Sequence, residues 1–168
     1  DTTRVWFRTA LREVVIIDAP GHQEFLKNMI SGAASADAAV LVVDAGEGMR
    51  GQTRRHAYLL RLLGIRQVAV AVNKMDLVGF SPERFADVAA EVATYLDGLG
   101  IAPAAVIPVS ARGGDGVAAV SPLTPWYQGP SVLEALDRFH AAPSPTGRPL
   151  RLPIQDVYKF DERRILVG

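Results

Sequence analysis

The sharpest chemical signal in this chain is Asn73-Lys-Met-Asp76, directly after the apolar run Val68-Ala-Val-Ala-Val72. A carboxylate at Asp76 can accept from both the N1–H and the exocyclic amine of guanine, a donor pair that adenine lacks. The Asn73 amide can meet the Hoogsteen edge of the same base, and the Lys74 stem can lie over its ring. A charged hydrogen bond of this type contributes about 1.5–3 kcal/mol. At uniform composition the three fixed letters recur by chance in roughly two of a hundred chains of this length. The competing reading is a polar strand-end loop with a solvated lysine.

A second group is Asp18-Ala-Pro-Gly21 with His22. The pattern Asp-x-x-Gly alone says little, because it also starts at Asp76 and at Asp97. Only at Asp18 does it follow an apolar run and lead into a helical pattern. An Asp there can hold Mg²⁺ through water, since that ion keeps most of its hydration shell, and the Gly21 N–H can approach a terminal phosphate. His22 can orient an attacking water, the positioning role known for phosphoryl transfer. The competing reading is a strand-to-helix turn with a capping Asp. Ser110-Ala-Arg112 closes a further apolar run, and its N–H groups and hydroxyl can close on the guanine oxygen; in isolation it is only a turn.

These groups need elements to hold them. Val14–Ile17, Ala38–Val43, Val68–Val72 and Ala105–Val109 are short, β-branched and apolar at successive positions, as strands buried between helix layers must be. Helices are predicted over Glu24–Ala34, Thr53–Leu63, Ser81–Leu99 and Ser131–Phe139. The third has Ser as N-cap, Pro82 at the first helical position, Glu83 in the first turn, and Gly98 or Gly100 to end it. On the second, Ala57, Leu59, Leu60 and Leu63 are expected to face inward. This alternation predicts an α/β fold with a mainly parallel sheet and helices on both faces. Val5–Thr9 precedes Val14 by a short turn and reads as one arm of an antiparallel edge hairpin.

Residues 141–149 have linker composition. The alternation Leu150–Tyr158, the turn signal Asp161-Glu162 and the run Ile165–Val167 then predict a hairpin of a different, all-β unit.

The chain has 168 residues, 49% apolar and 21% charged, which are globular values. Eighteen basic and eighteen acidic residues cancel, which argues against broad nucleic-acid binding by these residues. With no Cys there is no disulfide framework, thiolate zinc site or Cys nucleophile. No apolar run approaches the ~20 residues of a membrane span, and the expected location is the cytoplasm.

In order and spacing, these pieces resemble the P-loop-type G domain of translational GTPases, the family of elongation factor Tu. The matching stretch runs from Asp18-Ala-Pro-Gly-His22 through Lys27-Asn-Met-Ile-Ser-Gly-Ala34 to Val42-Val-Asp44. The resemblance implies GTP/GDP and Mg²⁺ as cofactors. Asn73, Lys74, Asp76, Ser110 and Ala111 would take the base, and Asp18 and Gly21 the metal and phosphate side. His22 would be the catalytic residue. It implies a partial G domain over 1–142, a linker over 143–149 and the first hairpin of a β-barrel domain over 150–168. The family's phosphate-binding loop and switch Thr have no counterpart here and are expected upstream of Asp1, so this chain alone should bind GTP poorly.

Within that superfamily, Gln52-Thr-Arg-Arg-His56, Asn73–Val78 with Phe80-Ser-Pro-Glu83 and Phe85, and Ser110-Ala with Gly114-Asp115 and Val117, then Pro125-Trp-Tyr-Gln-Gly-Pro130 and Leu133-Glu134, are similar to the GTPase subunit family of bacterial sulfate adenylyltransferase, although the Trp-Tyr-x-Gly-Pro feature is shared with archaeal and eukaryotic elongation factors. That resemblance implies coupling of GTP hydrolysis to adenylyl sulfate synthesis, with a catalytic adenylyltransferase subunit as partner in a heterodimer or larger assembly, and no membrane. Two alternatives stand beside it: an elongation factor Tu-type GTPase carrying aminoacyl-tRNA, and a non-catalytic guanine-nucleotide docking module. Trp126 and Tyr127 fit loop packing as well as partner contact, and Arg54 and Arg55 fit a solvated helix face.

Overall fold

The structure is a computed structural model and describes residues 3–18, 36–141, 149, 154, 156–160 and 163–167. Its fold is α/β. Strands β1 (Thr3–Arg8) and β2 (Glu13–Asp18) form an antiparallel hairpin, as expected for the edge pair. Strand β3 (Ala39–Asp44), helix α1 (Gly51–Leu62), strand β4 (Val68–Asn73), helix α2 (Pro82–Gly98) and strand β5 (Ala105–Pro108) follow, then helix α3 (Val132–Arg138). Strands β6 (Asp156–Phe160) and β7 (Arg163–Val167) pair with each other, antiparallel. The predicted hairpin is therefore present, and it is described as strand from Asp156; most of the stretch from Leu150 that precedes it lies outside the described residues. So do Gly21, His22, the predicted helix Glu24–Ala34 and residues 143–148 of the linker.

The three-stranded parallel sheet, order β3-β4-β5, carries the core. Strand β4 is central and is buried from Val68 to Val72, since its sequence is apolar at both odd and even positions. Its valines Val68, Val70 and Val72 join Ala57 and Leu60 of α1 and Val88, Val92 and Leu96 of α2 in one cluster. Its smaller Ala69 and Ala71 face the opposite way and pack with Ile107, Ala135 and Phe139. Helices thus cover both faces, α1 and α2 on one and α3 on the other. Each fully buried aliphatic side chain contributes roughly 1.5–3 kcal/mol.

The caps explain where the helices start and stop. Ser81 Oγ accepts the Arg84 N–H at 3.1 Å with Pro82 at the first helical position, and Gly100, at φ +69°, takes the left-handed turn that ends α2. Helix α3 has a full capping box: Ser131 Oγ accepts the Glu134 N–H at 3.3 Å, and Glu134 Oε2 accepts the Ser131 N–H at 2.8 Å. On α1, Ala57 and Leu60 are buried, while Leu59 and Leu63 are half-buried.

One expectation is corrected. Val15 and Ile16 of β2 are 46% and 44% exposed, and Val42 of β3 is 57% exposed, so these two strands are not buried on both sides. Among the described residues each is paired along one edge only, β2 to β1 and β3 to β4. The β1–β2 turn is tied instead to the end of α3. Thr9 Oγ1 donates to Asp137 Oδ1 at 2.8 Å, and the Arg12 guanidinium donates to the Asp137 and Phe139 carbonyls. A cation on the carbonyls at a helix C-terminus is favourable.

Candidate functional site

Parallel pairing brings the carboxyl ends of β3, β4 and β5 to one side of the sheet, where ligands of open α/β sheets bind. The register sets Asp44 beside Asn73 and Val72 beside Pro108. Loops leaving these ends therefore start side by side, although their residues are some thirty positions apart in sequence.

Asn73 closes β4. Its Oδ1 accepts the Ala111 N–H at 3.0 Å, and in the next step of the chain Met75 N–H donates to the Val109 carbonyl at 3.1 Å. The predicted base-binding residues of the two loops are thus brought together. With its oxygen engaged, the Asn73 amide offers its NH₂ as donor, which suits the acceptors N7 and O6 on one edge of guanine. Asp76 lies on the 3₁₀ turn Met75–Val78; its carboxylate is exposed and accepts no hydrogen bond from a described residue. An acceptor-only group in that state suits the N1–H and amine of the same base. The two side chains thus present opposite polarity, as guanine requires.

Lys74, between them in sequence, has φ 64° and ψ 34°. A non-glycine residue in the left-handed region is costly and needs support from its surroundings. Met75 supplies it: the side chain is fully buried and the backbone is bonded on both sides, N–H to Val109 and carbonyl to the Phe80 N–H at 2.8 Å. The Lys74 ammonium lies 2.7 Å from Asp44 Oδ2. This contact holds the Asp44 carboxyl below its ordinary range and raises the Lys74 ammonium above its own. The sequence reading took Asp44 only as the end of a matching stretch. The signal that could have singled it out is its place: a carboxylate at a strand end, as at Asp18.

The loop after β5 is braced from within. Ser110 is buried; its N–H donates to the Asp115 carbonyl at 3.0 Å, and its Oγ accepts the Gly113 N–H at 3.3 Å. Asp115 Oδ1 in turn accepts from Ser121 Oγ at 2.7 Å. The N–H groups of Ser110 and Ala111 are both engaged within the protein, so the structure shows these residues shaping the loop. Gly116, at φ +73°, passes so close to β5 that a Cβ would overlap the Pro108 carbonyl oxygen. Only glycine fits there.

Asp18 ends β2 and is exposed, with no bond to its side chain from a described residue. Among the described residues no group of three or more His, Cys, Asp or Glu could hold a metal ion. A hydrated Mg²⁺ does not need one, because one or two carboxylates suffice when the ion keeps its waters. Asp18 is compatible with that mode. Gly21 and His22 lie outside the described residues.

Other residues singled out by sequence resolve into packing. Trp126 and Tyr127 stack with Phe85, at centroid distances of 5.2 and 5.9 Å, and with each other at 6.4 Å. Trp126 Nε1 donates to the Phe80 carbonyl at 3.2 Å, and Tyr127 OH donates to the Pro130 carbonyl at 3.0 Å; burial lifts the Tyr127 phenol to about 12. Arg54 pairs with Glu91 at 3.3 Å, and its guanidinium lies 5.2 Å from the centre of the Tyr95 ring. The two charged residues lining the groove of about 560 Å³ between α1 and α2 are thus paired with each other. Arg55 is exposed on α1. Among the described residues no helix is long and apolar enough to cross a membrane.

Comparison with known proteins agrees with this geometry. The family "Elongation factor Tu GTP binding domain" matches residues 1–142. Elongation factor 1-alpha of Thermococcus kodakarensis is 51% identical over 160 residues, covering 95% of this chain and 37% of that protein. Elongation factor 1-alpha of Pyrobaculum calidifontis is 51% identical over 169 residues, covering 95% and 38%. Among solved structures, sup35 complexed with GDP superposes with a TM-score of 0.66 at 34% identity, covering 96% of this chain and 40% of that one. Elongation factor SelB of Methanococcus maripaludis in complex with the GTP analogue GppNHp gives 0.66 at 26% identity, covering 84% and 29%. The chain spans under two-fifths of the length of the curated relatives it matches.

Proposed function

The chain belongs to the family of the elongation factor Tu GTP-binding domain, and from that premise we propose that its parent protein is a GTP-binding and GTP-hydrolysing translation factor of the elongation factor 1-alpha type, carrying aminoacyl-tRNA in the cytoplasm. The observation that carries the nucleotide reading is the 3.0 Å bond from the Ala111 N–H to Asn73 Oδ1, which leaves the amide NH₂ as the donor three residues before the exposed acceptor of Asp76. The observation that carries the translation reading is 51% identity to elongation factor 1-alpha along 95% of the chain.

In this reading Asp76 accepts from the N1–H and amine of guanine, Asn73 donates to the opposite edge, and Lys74 covers the ring. The loop begun by Ser110 and Ala111 forms the wall beside the base oxygen. Asp18 would hold Mg²⁺ through water, and that ion supplies neutralising charge to the phosphate oxygens when bound. Gly21 offers its N–H to the γ-phosphate side, and His22 orients the attacking water.

The second reading, a GTPase subunit of sulfate adenylyltransferase acting with a catalytic adenylyltransferase subunit, has the residues Gln52–His56 in its favour. The relatives above carry the elongation factor name, and of those five residues Arg54 is held by Glu91. The translation reading therefore stands first. The test is to recover the full-length protein from its native cells with GTP bound and identify what accompanies it. Aminoacyl-tRNA supports the translation reading; an adenylyltransferase subunit without tRNA replaces it with the second.

A further inference from the structure

We propose that Asp44 is a positioning residue for the base site: its carboxylate anchors the Lys74 ammonium so that the lysine stem is fixed over the guanine position before nucleotide arrives. The proposal rests on the guanine reading above and adds to it a residue on a neighbouring strand.

The geometry has three parts. First, Asp44 and Asn73 are register partners on β3 and β4, so the anchor stands one strand away from the residue that precedes Lys74. Second, Asp44 divides its two oxygens. Oδ1 accepts the N–H groups of Gly46 at 2.7 Å and Glu47 at 3.1 Å, while Oδ2 takes the Lys74 ammonium at 2.7 Å. The turn therefore orients the carboxylate, and the free oxygen does the anchoring. Third, the turn itself is held. Arg84 Nε donates to the Ala45 carbonyl at 2.6 Å, Arg84 Nη2 to the Gly46 carbonyl at 3.0 Å, and Glu91 Oε2 accepts the Met49 N–H at 3.2 Å. The anchor thus rests on two side chains of α2.

A lysine stem has several rotatable bonds, and freezing it costs binding energy if it happens only when ligand arrives. Lys74 is half exposed, with 55% of its side chain open to solvent, so without an anchor it would sample many rotamers. Pinning both ends, the backbone in the left-handed conformation and the ammonium on Asp44, leaves the methylene stem as a ready-made wall.

The test measures dissociation of a fluorescent GDP from the full-length protein. Asp44→Asn keeps an oxygen for the Gly46 and Glu47 N–H groups and removes only the charge facing Lys74. We expect dissociation to accelerate by up to about fivefold, the upper end for a partly exposed ion pair, with a melting temperature lowered only by the loss of that one pair. In a Lys74→Ala background the same change should add less than about twofold. An unchanged rate in Asp44→Asn overturns the proposal, as does an equal effect with or without Lys74, which would place the role of Asp44 in the turn alone. Asp76→Asn distinguishes the two levels. If it shifts preference from guanine to xanthine while Asp44→Asn is silent, only the Asp44 role fails. If guanine preference survives Asp76→Asn, the guanine reading fails and this proposal with it.

Discussion

Asn73 Oδ1 accepts the N–H of Ala111 at 3.0 Å, joining the end of β4 to the loop that follows β5. One amide thus serves two purposes, tying the loops together and leaving its NH₂ for the ligand. Asn73→Asp separates them. The carboxylate still accepts from Ala111, but it now opposes the acceptor edge of guanine. Binding of GDP, followed by calorimetry, should fall by at least about tenfold, while the melting temperature stays close to that of the parent. Retained affinity would remove Asn73 from the base site.

Asp76 provides the complementary contact. In Asp76→Asn the acceptor pair becomes one acceptor and one donor, which suits xanthine. Competition between GTP and XTP in the full-length protein should shift toward XTP by at least about tenfold. Unchanged selectivity would locate guanine recognition elsewhere.

Gly116→Ala tests the close approach of the loop to β5. The added Cβ would overlap the Pro108 carbonyl, and φ +73° is strained for alanine. Urea unfolding should show a loss of about 2 kcal/mol or more. A neutral result would mean that the loop moves away from β5 at little cost.

The Lys74–Asp44 pair has a pH signature with a definite sign. Lys74 holds the Asp44 carboxyl below its ordinary 3.8, so the unfolded state binds more protons, and the contribution is complete above 3.8 and fades as pH falls through the folded value. Asp44 raises Lys74 above its ordinary 10.5, so the contribution is complete below 10.5 and fades as pH rises through the folded value. The stability gap between wild type and Lys74→Met should be a plateau between those limits and should close at both ends. A gap independent of pH would show that it comes from packing of the stem.

Much of this was legible in the sequence because the signals are local. Asn73-Lys-Met-Asp76 spans four residues, and the caps Ser81 and Ser131 sit next to the helices they start. The contacts that organise the site are not local. Asp44 meets Lys74, and Arg84 meets Ala45, only because parallel pairing aligns β3 with β4 and α2 packs against the loop. Hydrophobic pattern predicts strands but not their register. The exposure of β2 was likewise hidden, since an apolar run does not say how many of its edges are paired. The sulfate adenylyltransferase resemblance drew on three stretches, and the one on α1, Gln52–His56, includes exposed side chains such as Arg55 that can vary without disturbing the core.

The indole of Trp126, bonded to the Phe80 carbonyl at the far end of the segment that starts with Asn73, gives the base loop a built-in optical reporter. The chain has two tryptophans, and the other, Trp6, is 67% exposed. Removing Trp6 leaves a single emitter in a half-buried setting, hydrogen-bonded to the carbonyl four residues after Asp76, and any movement of the turn that carries Asp76 is then visible in steady-state fluorescence without a label.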